Sequence, residues 1–280
     1  MSGSQTNVGT DWASDAPRPS AEREGSFWSV RRISLLTILA ILLAWATATE
    51  LRLVSPVFLP SPLAVATKFV SVARDGYADA TLLEHLAASL KRVFAALVAS
   101  VAVGVPVGLA IGMSPVGRGI FDPLLEFLRP IPPLAYLPLI IIWCGIGEPS
   151  KVLVIGIAML APIALSTAAG VRGVSRDRIN AARALGASPG QVIRFVVLPS
   201  ALPSILTGLR IALGTGWTTL VAAELIAANQ GLGFMIQSAA NFLVTEVVIL
   251  GILIIAAIAF VLEFTVRRVE AVFVPWAGRE

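Results

Sequence analysis

The sequence is poor in reactive side chains. It holds one cysteine, Cys144, and one histidine, His85. A single cysteine excludes a disulfide within the chain and any multi-cysteine zinc site. A single histidine excludes His-pair metal centres and leaves no convincing Ser-His-Asp set. Charged residues make up 14% of the chain, against about 25% in soluble domains. The three lysines, Lys68, Lys91 and Lys151, follow Thr67, Leu90 and Ser150, so no Gly-Lys pair exists. A Gly-x-x-x-x-Gly-Lys-Ser/Thr phosphate loop is therefore absent, and the chain builds no Walker cradle for a nucleotide.

What is abundant is apolar. Hydrophobic residues reach 56% of 280 and mean hydropathy is +0.85, which excludes an ordinary soluble domain and directs attention to a bilayer. A spanning helix needs about 20 mostly apolar residues. Stretches of that kind predict six transmembrane helices, at about 33–50, 90–113, 124–147, 150–171, 204–228 and 246–266. Residues 33–270 form the membrane domain, between a disordered tail over 1–32 and a short tail over 271–280. Arg31-Arg32 ahead of the first stretch faintly resembles a twin-arginine export signal. Five further spans need no cleaved signal, so a basic flank on an uncleaved first helix is the simpler reading.

Lysine and arginine set the orientation. With the N-terminus inside, inner segments carry thirteen of them and outer segments six. Both termini are thus expected in the cytoplasm of a multi-pass inner-membrane protein. The basic pI near 9.8 is accounted for by this bias, and no nucleic-acid partner is implied. Residues 63–74, after Leu59-Pro60-Ser61-Pro62, are expected as a helix along the outer interface.

The inner loop from Arg172 to about Pro203 carries five arginines and an Ala-rich stretch, and a polar loop of that length usually has a task beyond connection. Residues 179–185 read as a short helix, capped by Asp177 or Ser175 and ended by Gly186, with Pro189 opening the next turn. From the residues alone this is either a docking helix or a plain helical hairpin on the membrane surface.

The segment Asn180-Ala181-Ala182, with Gly186 and Leu198-Pro199 at fixed spacing, resembles the EAA signature of ABC-importer permeases. Asn180 stands where the signature has Glu, and Val196 where it has Ile. Arg129-Pro130-Ile131-Pro132-Pro133, Trp143-Cys144-Gly145-Ile146-Gly147-Glu148, Gly208-Leu209-Arg210 and Ala223-Glu224-Leu225 are similar to the branch that serves aliphatic sulfonates, taurine and nitrate. The resemblance implies an all-α membrane protein with the six-helix, type I (MetI-like) permease fold and a cytoplasmic coupling helix. It implies that Asn180, Ala181, Ala182, Leu185 and Gly186 meet an ATPase subunit, with Leu198 and Pro199 placing the loop. It further implies a homodimer, a cytoplasmic P-loop ATPase that binds ATP and Mg, and an extracytoplasmic solute-binding protein. The chain itself would then carry no catalytic residue and no cofactor, and would move a small anion. An ATPase-independent channel or secondary transporter is the alternative.

Single residues stand out inside the apolar stretches. An ionisable group in a bilayer is costly and by default suggests function, so Glu224, Arg210 and Arg129 are candidates for the substrate path, set against structural pairing or snorkelling. Glu126 and Arg129, at i and i+3, are expected to pair. Pro130, Pro132, Pro133 and Pro138 predict a hinge, a pore wall or a fixed kink. Gly104, Gly108 and Gly112 predict close helix contact. Trp143 is expected as an interfacial anchor, Cys144 as a packed side chain, and His85 as a polar residue at the outer interface.

Overall fold

The computed structural model describes residues 30–273. Most of the expected tail over 1–32, and the end of that over 271–280, lie outside the described residues.

Apolar length dictates the architecture, since a helix satisfies its own backbone without water. The helices are α1 (Val30–Glu50), α2 (Pro62–Asp75), α3 (Leu82–Met113), α4 (Pro115–Leu128), α5 (Pro133–Cys144), α6 (Glu148–Arg172), α7 (Arg176–Ala184), α8 (Pro189–Val192), α9 (Leu198–Ala227), α10 (Leu232–Asn241) and α11 (Thr245–Phe273). A π-helical turn, Ile193–Val197, joins α8 to α9. The described residues contain no strand, only an isolated bridge between Tyr77 and Ala80. Five helices are long and apolar enough to cross a membrane, or six if the bent pair α4 and α5 counts as one span.

That pair is where the structure departs from a straight third span. Three of the four residues from Pro130 to Pro133 are proline and offer no backbone donor, so the helix cannot continue through them. It breaks there and α5 leaves α4 at 104°. The segment between the fifth and sixth expected spans contains α10, and the outer helix expected at 63–74 is α2, capped by Ser61 Oγ on the Ala64 N–H at 3.2 Å.

α6 is the centre of the bundle, packed on α3 and α9. Val93, Ala96, Ile155, Met159, Ile163, Ala212 and Leu220 form the buried core of the three. α3 approaches α6 closely because its glycines face it. A Cβ on Gly104 would stand 2.9 Å from Ile163 Cγ2, and one on Gly112 2.6 Å from Val171. Trp45 at the end of α1 donates its indole N–H to the Pro60 carbonyl at 3.0 Å.

Candidate functional site

Three polar features interrupt the apolar bundle. The first is an ionic knot where α6 begins and α9 ends. Arg92 is 4% exposed and Glu224 1%. Arg92 forks onto Glu148, Nε to Oε2 at 2.6 Å and Nη2 to Oε1 at 2.7 Å. Its Nη1 donates to Glu224 Oε1 and to the Gln230 carbonyl, each at 2.6 Å. Lys151 Nζ reaches Glu148 Oε1 at 2.9 Å. Glu224 also accepts from Ser89 Oγ at 2.8 Å and from the Gly233 N–H at 2.8 Å. The other two backbone donors of the turn into α10 go to side chains of α3 beside this carboxylate. The Leu232 N–H goes to Ser89 Oγ at 2.9 Å and the Gly231 N–H to His85 Nδ1 at 3.1 Å. His85 is fully buried. With Nδ1 accepting, its Nε2 carries the proton and donates to the Tyr77 carbonyl at 2.9 Å. Arg92 and Glu224 thus each have several partners, the condition under which burial of ions is tolerated. Glu224 is held inside the bundle, and Arg92, Lys151 and His85 are structural members rather than loop residues.

Arg210 lies elsewhere. It sits half-exposed beside α11, 3.8 Å from Glu263 and 3.7 Å from Glu270. Arg129 is exposed at the α4–α5 break, and no ion pair to Glu126 forms among the described residues. Cys144 is exposed rather than packed.

The second feature is a cleft of about 610 Å³ bordered by the break, α5, α6 and α9. Of the three substrate-path candidates only Arg129 lines it. Its other polar side chains are Tyr136, Ser166, Thr215, Thr218 and Thr219. Thr215 lies about 18 Å along the helix from the end of α9 nearer the knot and about 26 Å from the other, at 1.5 Å per residue. A mid-depth polar lining on an open face is unsuited to lipid, where unpaired polar groups are costly. The threonines were missed in the sequence; their i, i+3, i+4 spacing inside an apolar stretch was the available signal.

The third feature is the loop at the opposite end. Ser175 Oγ caps α7 through the Asp177 N–H at 3.2 Å. α7 then ends in a Schellman motif, with the Ala187 N–H on the Ala182 carbonyl at 3.0 Å and the Gly186 N–H on that of Arg183 at 2.9 Å. Gly186 has φ +83°, which glycine adopts at no steric cost. Ser188 and Gln191 make a capping box at the start of α8. Val174, Val192, Val197 and Ala201 anchor the loop, and Leu198 packs against them. Pro199 stands exposed in the first turn of α9. Asn180 and Ala181 are exposed, Ala182 is half-buried, and Leu185 stands 89% exposed. Ala182, Leu185, Gly186, Gln191 and Phe195 rim a hollow of about 330 Å³.

Comparison with known proteins decides the class. Residues 104–273 match the family described as binding-protein-dependent transport system inner membrane component. The chain belongs to this family. Over 255 residues the permease is 55% identical to the taurine transport system permease protein TauC of Escherichia coli (strain K12), covering 90% of this chain and 93% of that one. It is 34% identical over 261 residues to the putative aliphatic sulfonates transport permease protein SsuC of the same organism, covering 89% and 93%. The MetNI methionine ABC transporter in an inward-facing conformation shares the fold, with a TM-score of 0.58 at 22% identity, over 69% of this chain and 95% of that one. The permease is therefore a multi-pass transport subunit of an ABC importer and not an enzyme, and the ATPase-independent alternative is set aside. Its family works with an ATPase subunit and a solute-binding protein.

Proposed function

We propose that this permease imports a small organic sulfonate, that two copies enclose the path, and that both termini face the cytoplasm. The observation that carries the reading is the mid-depth cleft with Arg129 as its only charged lining residue. A cation on a lining free of carboxylates favours an anionic group. The solute class is supported by the relatives, one named for taurine and one for aliphatic sulfonates.

In this reading α7 is the coupling helix. Asn180, Ala181, Ala182, Leu185 and Gly186 face an ATPase that binds ATP and Mg, while Leu198 and Pro199 fix where the loop leaves α9. The exposed Leu185 beside a hollow is a surface that a partner's apolar side chain can fill. Glu224 holds the scaffold and Arg210 pairs loosely with α11, and neither meets the solute. The permease contributes differential contacts, since a partner shifts a conformational equilibrium only by binding one state better. The binding protein would dock at the end that carries the ionic knot.

The test is uptake of labelled taurine by the permease reconstituted with its ATPase and binding protein. Thr218→Trp, which fills the cleft, is expected to stop uptake while the ATPase still co-purifies. Uptake at the wild-type rate with that bulk in place would overturn the path.

A further inference from the structure

The cleft is chemically two-sided. On α9, Thr215 Oγ1 donates to the Ala212 carbonyl at 3.0 Å, and Thr218 and Thr219 each donate to the Thr215 carbonyl at 2.8 Å. A hydroxyl has one proton and two lone pairs. With the proton committed to the helix backbone, Thr215 and Thr218, both exposed, present lone pairs and methyl groups to the cleft. Thr219 is 6% exposed and adds little surface. The polar lining from the break, α5 and α6 is different. Arg129 brings a permanent cation with several N–H donors. The hydroxyls of Tyr136 on α5 and Ser166 on α6 have no hydrogen-bond partner among the described residues, so each has a proton to give. The α9 hydroxyls accept, and the polar groups from the other elements donate.

We infer that this lining selects a small zwitterion, with its acidic head on Arg129, Tyr136 and Ser166 and its ammonium on Thr215 and Thr218. A plain anion gains nothing from the α9 wall, because its oxygens would meet oxygens whose protons are turned away. An ammonium group has three donors and no acceptor, which is what that wall is short of. Thr215 and Thr218 are then specificity-determining residues. The inference rests on the cleft being the solute path, as proposed above.

The test uses the complete complex of permease, ATPase and binding protein in liposomes. The probes are labelled taurine and labelled ethanesulfonate, which has the same acidic head without the ammonium. The double variant Thr215→Val with Thr218→Val keeps shape and removes both acceptor oxygens. It is expected to lower taurine uptake roughly tenfold or more, the size of a lost hydrogen bond to a charged group. The double variant Thr215→Ser with Thr218→Ser keeps the oxygens and is expected to retain most of the uptake. Co-purification of the ATPase with both variants shows that they fold and assemble. Undiminished taurine uptake by the valine pair, equal loss in the serine pair, or wild-type complex that takes up ethanesulfonate but no taurine would each overturn the inference. Thr218→Trp separates the two levels. If it fails to block uptake, the path itself is wrong. If it blocks uptake while the valine pair transports normally, only the specificity is wrong.

Discussion

At one end of the bundle Arg92 and Glu224 are shut away from water in a closed set of partners, whereas at the other Leu185 stands in the open beside a hollow. The two regions invert the usual distribution of side chains, and for opposite purposes. The knot buries Arg92 and Glu224 and satisfies them internally, joining α3, α6, α9 and the start of α10, with Glu148 exposed at its edge. The loop shapes its backbone with caps and a Schellman turn, so that small and apolar groups are displayed without being buried. In the function proposed above, the knot holds one end together and the loop is the surface offered to the ATPase.

The sharpest way to break this contrast is Arg92→Met. It strands Glu224 among apolar neighbours, and loss of one partner from a buried ion pair costs about 3–5 kcal/mol. We expect a large fall in thermal stability in detergent, read by fluorescence-detected size exclusion. Adding Glu224→Met should recover much of it, because Glu148 keeps Lys151. No recovery would mean that the knot holds the fold by geometry rather than by charge balance. Gly231→Ala comes next. Its φ is +134° and an added Cβ would overlap the Glu224 carboxylate, so a loss of about 1–3 kcal/mol is expected by the same assay.

Leu185→Glu probes the other region. The side chain supports nothing in the isolated chain, so stability should hold within about 0.5 kcal/mol. ATPase co-purification should be lost, as for an interface anchor contributing about 2 kcal/mol. A destabilised variant would show instead that Leu185 belongs to the fold. The smallest effect is expected from Arg210→Gln. Its pairs are long and half-exposed, and such pairs contribute about 0–1 kcal/mol. Melting temperature and taurine uptake should both stay close to wild type, and a collapse of uptake alone would return Arg210 to the solute path.

The loop was legible in the sequence because its signals are local. Ser175, Gly186 and Pro189 act within four or five residues of themselves, whereas the Ser188–Gln191 capping box went unread. The knot was not, because Arg92 meets Glu148 and Glu224 across 56 and 132 residues. Arg92 and Lys151 are two of the six basic residues that charge counting assigned to outer segments, a count in which depth is invisible. The helical spans follow from apolar length, which composition reveals. The prolines at 130–133 signalled a disruption, but a proline cluster does not specify a 104° bend or the cleft it opens. The threonine stripe was written in the sequence too, although which wall it faces depends on how α6 and α9 pack.

The broken span also bears on how the chain enters the bilayer during synthesis. Neither α4, with 14 residues, nor α5, with 12, approaches the roughly 20 needed to span as an independent segment. The exposed carbonyls and missing donors at the break would be stranded in lipid if either half entered alone. Membrane insertion of this stretch therefore depends on packing neighbours, α3 for the first half and α6 for the second.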